Sequence, residues 1–173
     1  MCIDATVKEL LHGMLESEEL WLLDSLDRVR SVTASRPHSP YGFEWLAHTA
    51  FAVHLLKRGG PTVTDIRIGL KEESSSKKPD IAFKVGCEAV AIQFKTVPSF
   101  NASAYQEDDV KKSLKSDHVY LLVVSYPDLS DSDAPADTVC TVAGPCGFLW
   151  RLRKIKAGPN KANSADTNNG AAD

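Results

Sequence analysis

The chain carries its strongest structural constraint between Lys77 and Val97. Lys77-Lys78-Pro79-Asp80-Ile81-Ala82-Phe83 runs towards Gly86, and Val90-Ala91-Ile92-Gln93-Phe94-Lys95-Thr96-Val97 follows it. Two apolar, β-favouring runs joined at a glycine predict a hairpin, with strands over 80–85 and 89–97. Polar side chains interrupt those runs at only a few positions, and the positions are ordered. Asp80 opens the first strand, while Gln93 and Lys95, two apart in the second, project to one face. Unpaired charge within an apolar strand is costly, so Lys95 needs a reason to be there. An acid, an amide oxygen and an ammonium on one hairpin have the composition of a divalent-cation site with a lysine beside it.

Periodicity orders the rest of the chain around that hairpin. Ile3, Val7, Leu10, Leu11, Met14 and Leu15 recur at helical spacing, as do Leu20, Leu22, Leu23, Leu26 and Val29. They predict one or two amphipathic helices over 3–34, an N-terminal helical appendage. Pro37, Pro40 and Gly42 mark a loop, and Phe43 to Lys57 reads as an apolar helix stopped by Arg58-Gly59-Gly60-Pro61. A strand over 63–70, a charged loop, the central hairpin, a helix over 103–115 and a buried strand over 118–126 come next. Residues 138–155 predict a short strand and a last helix around 148–154. From Ala157 on, few apolar anchors remain, which predicts a disordered tail over 157–173. The order αβββαβ predicts an α/β fold with a four-stranded mixed sheet flanked by helices. Its core spans 42–126 within a single domain over 1–156.

Composition narrows the function classes. A chain of 173 residues is one domain by length, and a domain of that size buries roughly two-thirds of its unfolded surface. A net charge of −3 supplies no global basic field of the kind that drives tight non-specific nucleic-acid binding, leaving room only for a local basic groove. Cys2, Cys87, Cys140 and Cys146 show no CxxC spacing, which argues against zinc and against a disulfide framework. Asp4, Lys8 and Glu9 break the N-terminal apolar residues and no long apolar run follows, so no secretory signal and no membrane span is expected, and the location expected is cytoplasmic, with the nucleus left open.

Pro79-Asp80 on the second strand and Gln93-Phe94-Lys95 on the third, in this strand order, resemble the PD-(D/E)XK nuclease superfamily, whose fold is restriction-endonuclease-like. Gln93 stands where that motif usually has an acid, and the resulting QxK element is similar to that of Mrr-like members. The resemblance covers about 42–126 and implies a metal-dependent nuclease, most simply an endonuclease, hydrolysing phosphodiester bonds of DNA or RNA. It implies that Asp80, the Gln93 side-chain oxygen and the Phe94 carbonyl bind Mg²⁺ or Mn²⁺. Lys95 is then implied to orient or deprotonate water, or to stabilise charge developing on the phosphoryl group. A superfamily helix glutamate matches Glu44, which would return the negative charge that Gln93 does not supply.

Other residues have weaker claims. His48 lies four residues after Glu44 on the same helix face and reads as a satisfied neighbour of it. Lys77, Lys78, Lys111 and Lys112 are candidate phosphate contacts, and Lys71, Lys84, Lys115, Arg151, Arg153, Lys154 and Lys156 read either as groove or as solvated faces. With no recognisable sequence-reading module, a homodimer or a protein partner supplying specificity is expected, in a toxin, defence or repair setting. The alternative expectation is a catalytically inactive member of the same fold that binds protein or nucleic acid.

Overall fold

The computed structural model describes residues 2–16, 41–69, 79–97, 115–125, 134–144 and 148–156. They form the helices α1 (Ile3–Leu15) and α2 (Tyr41–Arg58). The strands are β1 (Val63–Ile68), β2 (Ile81–Val85), β3 (Glu88–Val97), β4 (His118–Ser125), β5 (Thr138–Ala143) and β6 (Leu149–Lys156). All six strands join one mixed α/β sheet in the order β1-β2-β3-β4-β6-β5. Every seam is antiparallel except the central β3–β4 pair, which is parallel.

The hairpin follows from local chemistry. Val85 pairs with Glu88, leaving Gly86 and Cys87 as a two-residue loop. Gly86 has φ +63°, the left-handed conformation that a type II′ hairpin turn requires at its first central position. β3 then alternates. Val90, Ile92 and Phe94 enter the main core with Ile81, Phe83, Tyr120, Leu122, Trp150 and Leu152. Ala91, Gln93 and Lys95 share the opposite face with Val119, Leu121 and Val123, which are also fully buried. Central strands buried on both faces explain the near-continuous apolar runs.

Both helices cover the first of these faces. α2 contributes Ala47, Ala50, Phe51 and Leu55, and α1 contributes Val7, Leu11 and Met14 to the same cluster. Each such large side chain withdrawn from water is worth about 1.5–3 kcal/mol. Polar ties add direction to this packing. Asp4 of α1 accepts hydrogen bonds from the Tyr120 hydroxyl of β4 and from Lys154 Nζ of β6. At the near ends of the parallel pair, Glu88 meets His118 Nε2, and the Asp117 carboxylate accepts from the Ala89 N–H at 2.9 Å.

Three expectations are corrected. The sheet has six strands rather than four, because β5 and β6 continue it beyond β4. α1 is no appendage: it completes the one core, its apolar stripe facing α2 and the sheet. The segment expected as a last helix around 148–154 is strand β6. Its period is two, with Trp150 and Leu152 in the core and Arg151 and Arg153 on the other face. Cations that suggested a solvated helix are internal struts. Asp137 takes Arg153 through two hydrogen bonds of 3.0 Å, and Arg151 Nε donates to Thr141 Oγ1 at 3.3 Å. The helices expected over residues 17–34 and 103–115, and the tail over 157–173, lie outside the described residues.

Candidate functional site

Asp80 is held by three other elements. It directly precedes β2, and its backbone carbonyl accepts the N–H of Gly69 at 2.9 Å, just past the end of β1. The same carbonyl meets Nε2 of His48, from α2, at 2.8 Å. Its carboxylate Oδ2 accepts the Phe94 N–H of β3 at 2.7 Å. The His48 ring lies 5.7 Å from the Phe94 ring, which contacts Phe51 at the same separation.

Register explains why a carboxylate takes a backbone amide here. Ile81 pairs with Ile92, so the next positions outward set Asp80 beside Gln93 and Pro79 beside Phe94. Proline has no N–H, so the ladder cannot continue through position 79. The Asp80 side chain receives the Phe94 N–H instead. The Phe94 carbonyl, directed to the same edge, meets no ladder donor from Pro79. A carboxylate, a carbonyl and, on the neighbouring position, an amide side chain therefore come to one strand mouth.

Gln93 and Lys95 are half-buried on the face that carries Leu121 and Val123, their partners across the parallel seam. Gln93 and Lys95 share one face of β3, as their spacing predicts, and Asp80 stands at the β2 start, one position outward from the Ile81–Ile92 pair. Glu44 lies in the first turns of α2, one turn before His48, and its side chain lies outside the described residues. The candidate phosphate contacts Lys77, Lys78, Lys111 and Lys112 also lie outside them.

Lys71 lies outside the described residues as well, and Lys84, Arg151, Arg153, Lys154 and Lys156 have structural engagements. Lys84 meets Asp65 at 3.2 Å, beside Arg67 at 2.5 Å. Asp65 sits at φ +52° in a bulge of β1, and the hydrogen bonds from Arg67 and then Lys84 hold its carboxyl at about 2. Lys154 is bound to Asp4, and Lys156 Nζ donates to the Ser116 carbonyl at 2.8 Å. Arg151, Arg153, Lys154 and Lys156, read from sequence as groove or as solvated face, instead brace β6. Cys2, Cys87 and Cys140 are free thiols, and burial raises that of Cys140 above its ordinary value.

Sequence reasoning read His48 chiefly as a satisfied neighbour of Glu44, named Pro79 only as part of the Pro79-Asp80 motif, and gave Gly69 no role. A usable signal was present in Pro79, whose missing N–H announces a ladder that must end. Among the described residues, no group of three or more His, Cys, Asp and Glu side chains assembles that would hold a metal ion. The donor set at the strand mouth is instead one carboxylate with amide and carbonyl oxygens, the hard oxygen ligands that suit Mg²⁺ or Mn²⁺. No protein-family model, curated protein or solved structure matches this chain.

Proposed function

We propose that this protein is a metal-dependent nuclease that hydrolyses phosphodiester bonds of DNA or RNA, with a restriction-endonuclease-like core formed by α2 and β1 to β4. The observation that carries the reading is the fixing of Asp80. Its carbonyl is held by α2 and by the residue following β1, and its carboxylate lies against Phe94 N–H, at the mouth shared with Gln93 and Lys95. A residue so constrained is preorganised, and preorganised oxygen ligands are what a hard cation needs to bind with few protein donors.

In this reading Asp80, the Gln93 amide oxygen and the Phe94 carbonyl hold Mg²⁺ or Mn²⁺, and Glu44 is the further acid on α2. When bound, the cation polarises the phosphoryl oxygen and lowers the pKa of water. Lys95 orients the attacking water or neutralises charge growing on the phosphoryl oxygens. Phe94 holds Asp80 through its N–H while offering its carbonyl, so one residue, through its two flanking peptides, serves both anchoring and ligation. Lys77, Lys78, Lys111 and Lys112 track the phosphate backbone.

The expected result is Mg²⁺- or Mn²⁺-dependent cleavage of single- or double-stranded DNA or RNA, lost in Asp80→Ala and Lys95→Ala variants that keep the wild-type melting transition. Cleavage that persists in both variants would remove the site. Gln93 in the place of an acid and the net charge of −3 favour a second reading, an inactive binding module of the same fold. Calorimetry separates the two: no heat of Mn²⁺ binding at millimolar concentration decides for the module.

A further inference from the structure

Asp80 sits where the ladder stops, and Pro79 before it donates nothing, so its orientation depends on bonds from outside its own strand. A carbonyl oxygen accepts through two lone pairs. Gly69 fills one at 2.9 Å and His48 faces the other at 2.8 Å. Because a carbonyl only accepts, Nε2 of His48 must carry a proton and donate. The ring is kept in that pose by the Phe94 ring, 5.7 Å away, and Phe94 is the residue whose N–H holds the Asp80 carboxylate. His48, Asp80 and Phe94 thus form a closed loop of contacts linking α2, the β2 start and β3.

We propose that His48 is a positioning residue for Asp80, fixing its peptide so that the carboxylate stays against Phe94 N–H and faces the strand mouth. Its functional meaning rests on the nuclease reading above; its geometry does not. Loss of the Nε2 donor removes one of the two bonds that fix the carbonyl, and the Asp80 peptide can then turn about the bond from Gly69. The carboxylate moves with it, and the Phe94 amide loses its acceptor. The ring and the donor have separable roles, because packing against Phe94 needs only an aromatic surface while holding Asp80 needs an N–H.

Two full-length variants divide those roles. His48→Phe keeps the ring and deletes the donor; His48→Gln keeps an N–H donor of similar reach and deletes the ring. Amide hydrogen exchange of Phe94, with Val90 on the same strand as the internal control, reads positioning without metal. Mn²⁺ titration reads its consequence. The expected result is that His48→Phe speeds exchange at Phe94 but not at Val90 and weakens Mn²⁺ binding about 10–100-fold, the usual loss when a support of a ligand is removed. His48→Gln should keep Phe94 protected and bind Mn²⁺ much as the parent does. Protection lost in His48→Gln and kept in His48→Phe would overturn the proposal, leaving His48 as packing. If the parent chain binds no Mn²⁺ while the exchange pattern is as expected, the positioning role stands and the nuclease reading fails. If the parent binds Mn²⁺ and neither variant changes it, the nuclease reading stands and the positioning role fails.

Discussion

Gln93 is the residue at which two readings of the site predict opposite signs. As a ligand in a site with one nearby carboxylate, it becomes a stronger donor on Gln93→Glu, because hard cations favour carboxylate over amide oxygen. The substitution nearly conserves shape, so the Mn²⁺-induced rise in melting temperature should exceed that of the parent. As a strand amide alone, the same change places an unpaired charge beside buried Leu121. The variant would then melt lower and gain nothing from Mn²⁺, which would end the metal reading. Parity alone put Gln93 and Lys95 on one face of their strand, and that much of the site was legible in the sequence. His48 was not, since it meets Asp80 across 32 positions of sequence and that contact depends on how α2 lies on the sheet. Local patterns carry no record of such a crossing.

At the scale of elements, the strands with clean alternation or continuous apolar runs were readable, and β6 was not. Its arginines carry the polarity of a solvated face, yet Asp137 and Thr141 satisfy them within the fold. A sequence window sees the charge without its partner. Gly144, just after β5, supplies a test of the β5–β6 pairing. A Cβ at Gly144 would lie 2.4 Å from the Trp150 indole nitrogen and 3.2 Å from Leu15 Cδ2. Gly144→Ala should therefore cost about 1–3 kcal/mol, the usual penalty of overpacking, seen as a lower urea midpoint with an unchanged slope. α1 supplies a second test, at Asp4. Burial opposes its charge, but the hydrogen bonds from Lys154 and Tyr120 together outweigh that and hold the carboxyl below its ordinary value. A carboxyl lowered by folding lends stability that is present above the unfolded-state pKa of 3.8 and is lost as pH falls through the lower folded one. Asp4→Asn should flatten the acid side of the stability–pH curve below about pH 4, and acid titration of the melting temperature in both chains checks it.

At the scale of the molecule, one core serves the sheet and both helices. Removal of residues 1–16 uncovers the partners of Val7, Leu11 and Met14, all fully buried in the intact chain. The shortened protein should lose its cooperative melt and its near-ultraviolet circular dichroism; a sharp transition at the parental temperature would make α1 dispensable. The sheet itself divides at its centre into two antiparallel triples, β1-β2-β3 and β4-β6-β5, joined along a single parallel seam. That arrangement has a consequence during synthesis. The β1 rim is blunted by its bulge and by the Asp65, Arg67 and Lys84 charges. β3, apolar on its core face and part of the other, has only β4 to cover its outer backbone groups, and β4 emerges later from the ribosome. Translation adds about 5–20 residues per second, so the strand that carries Gln93 and Lys95 stays open to other nascent chains for a time on the order of seconds. Slower growth and abundant holdase chaperones should therefore raise the soluble yield of this protein more than any change to its finished surface.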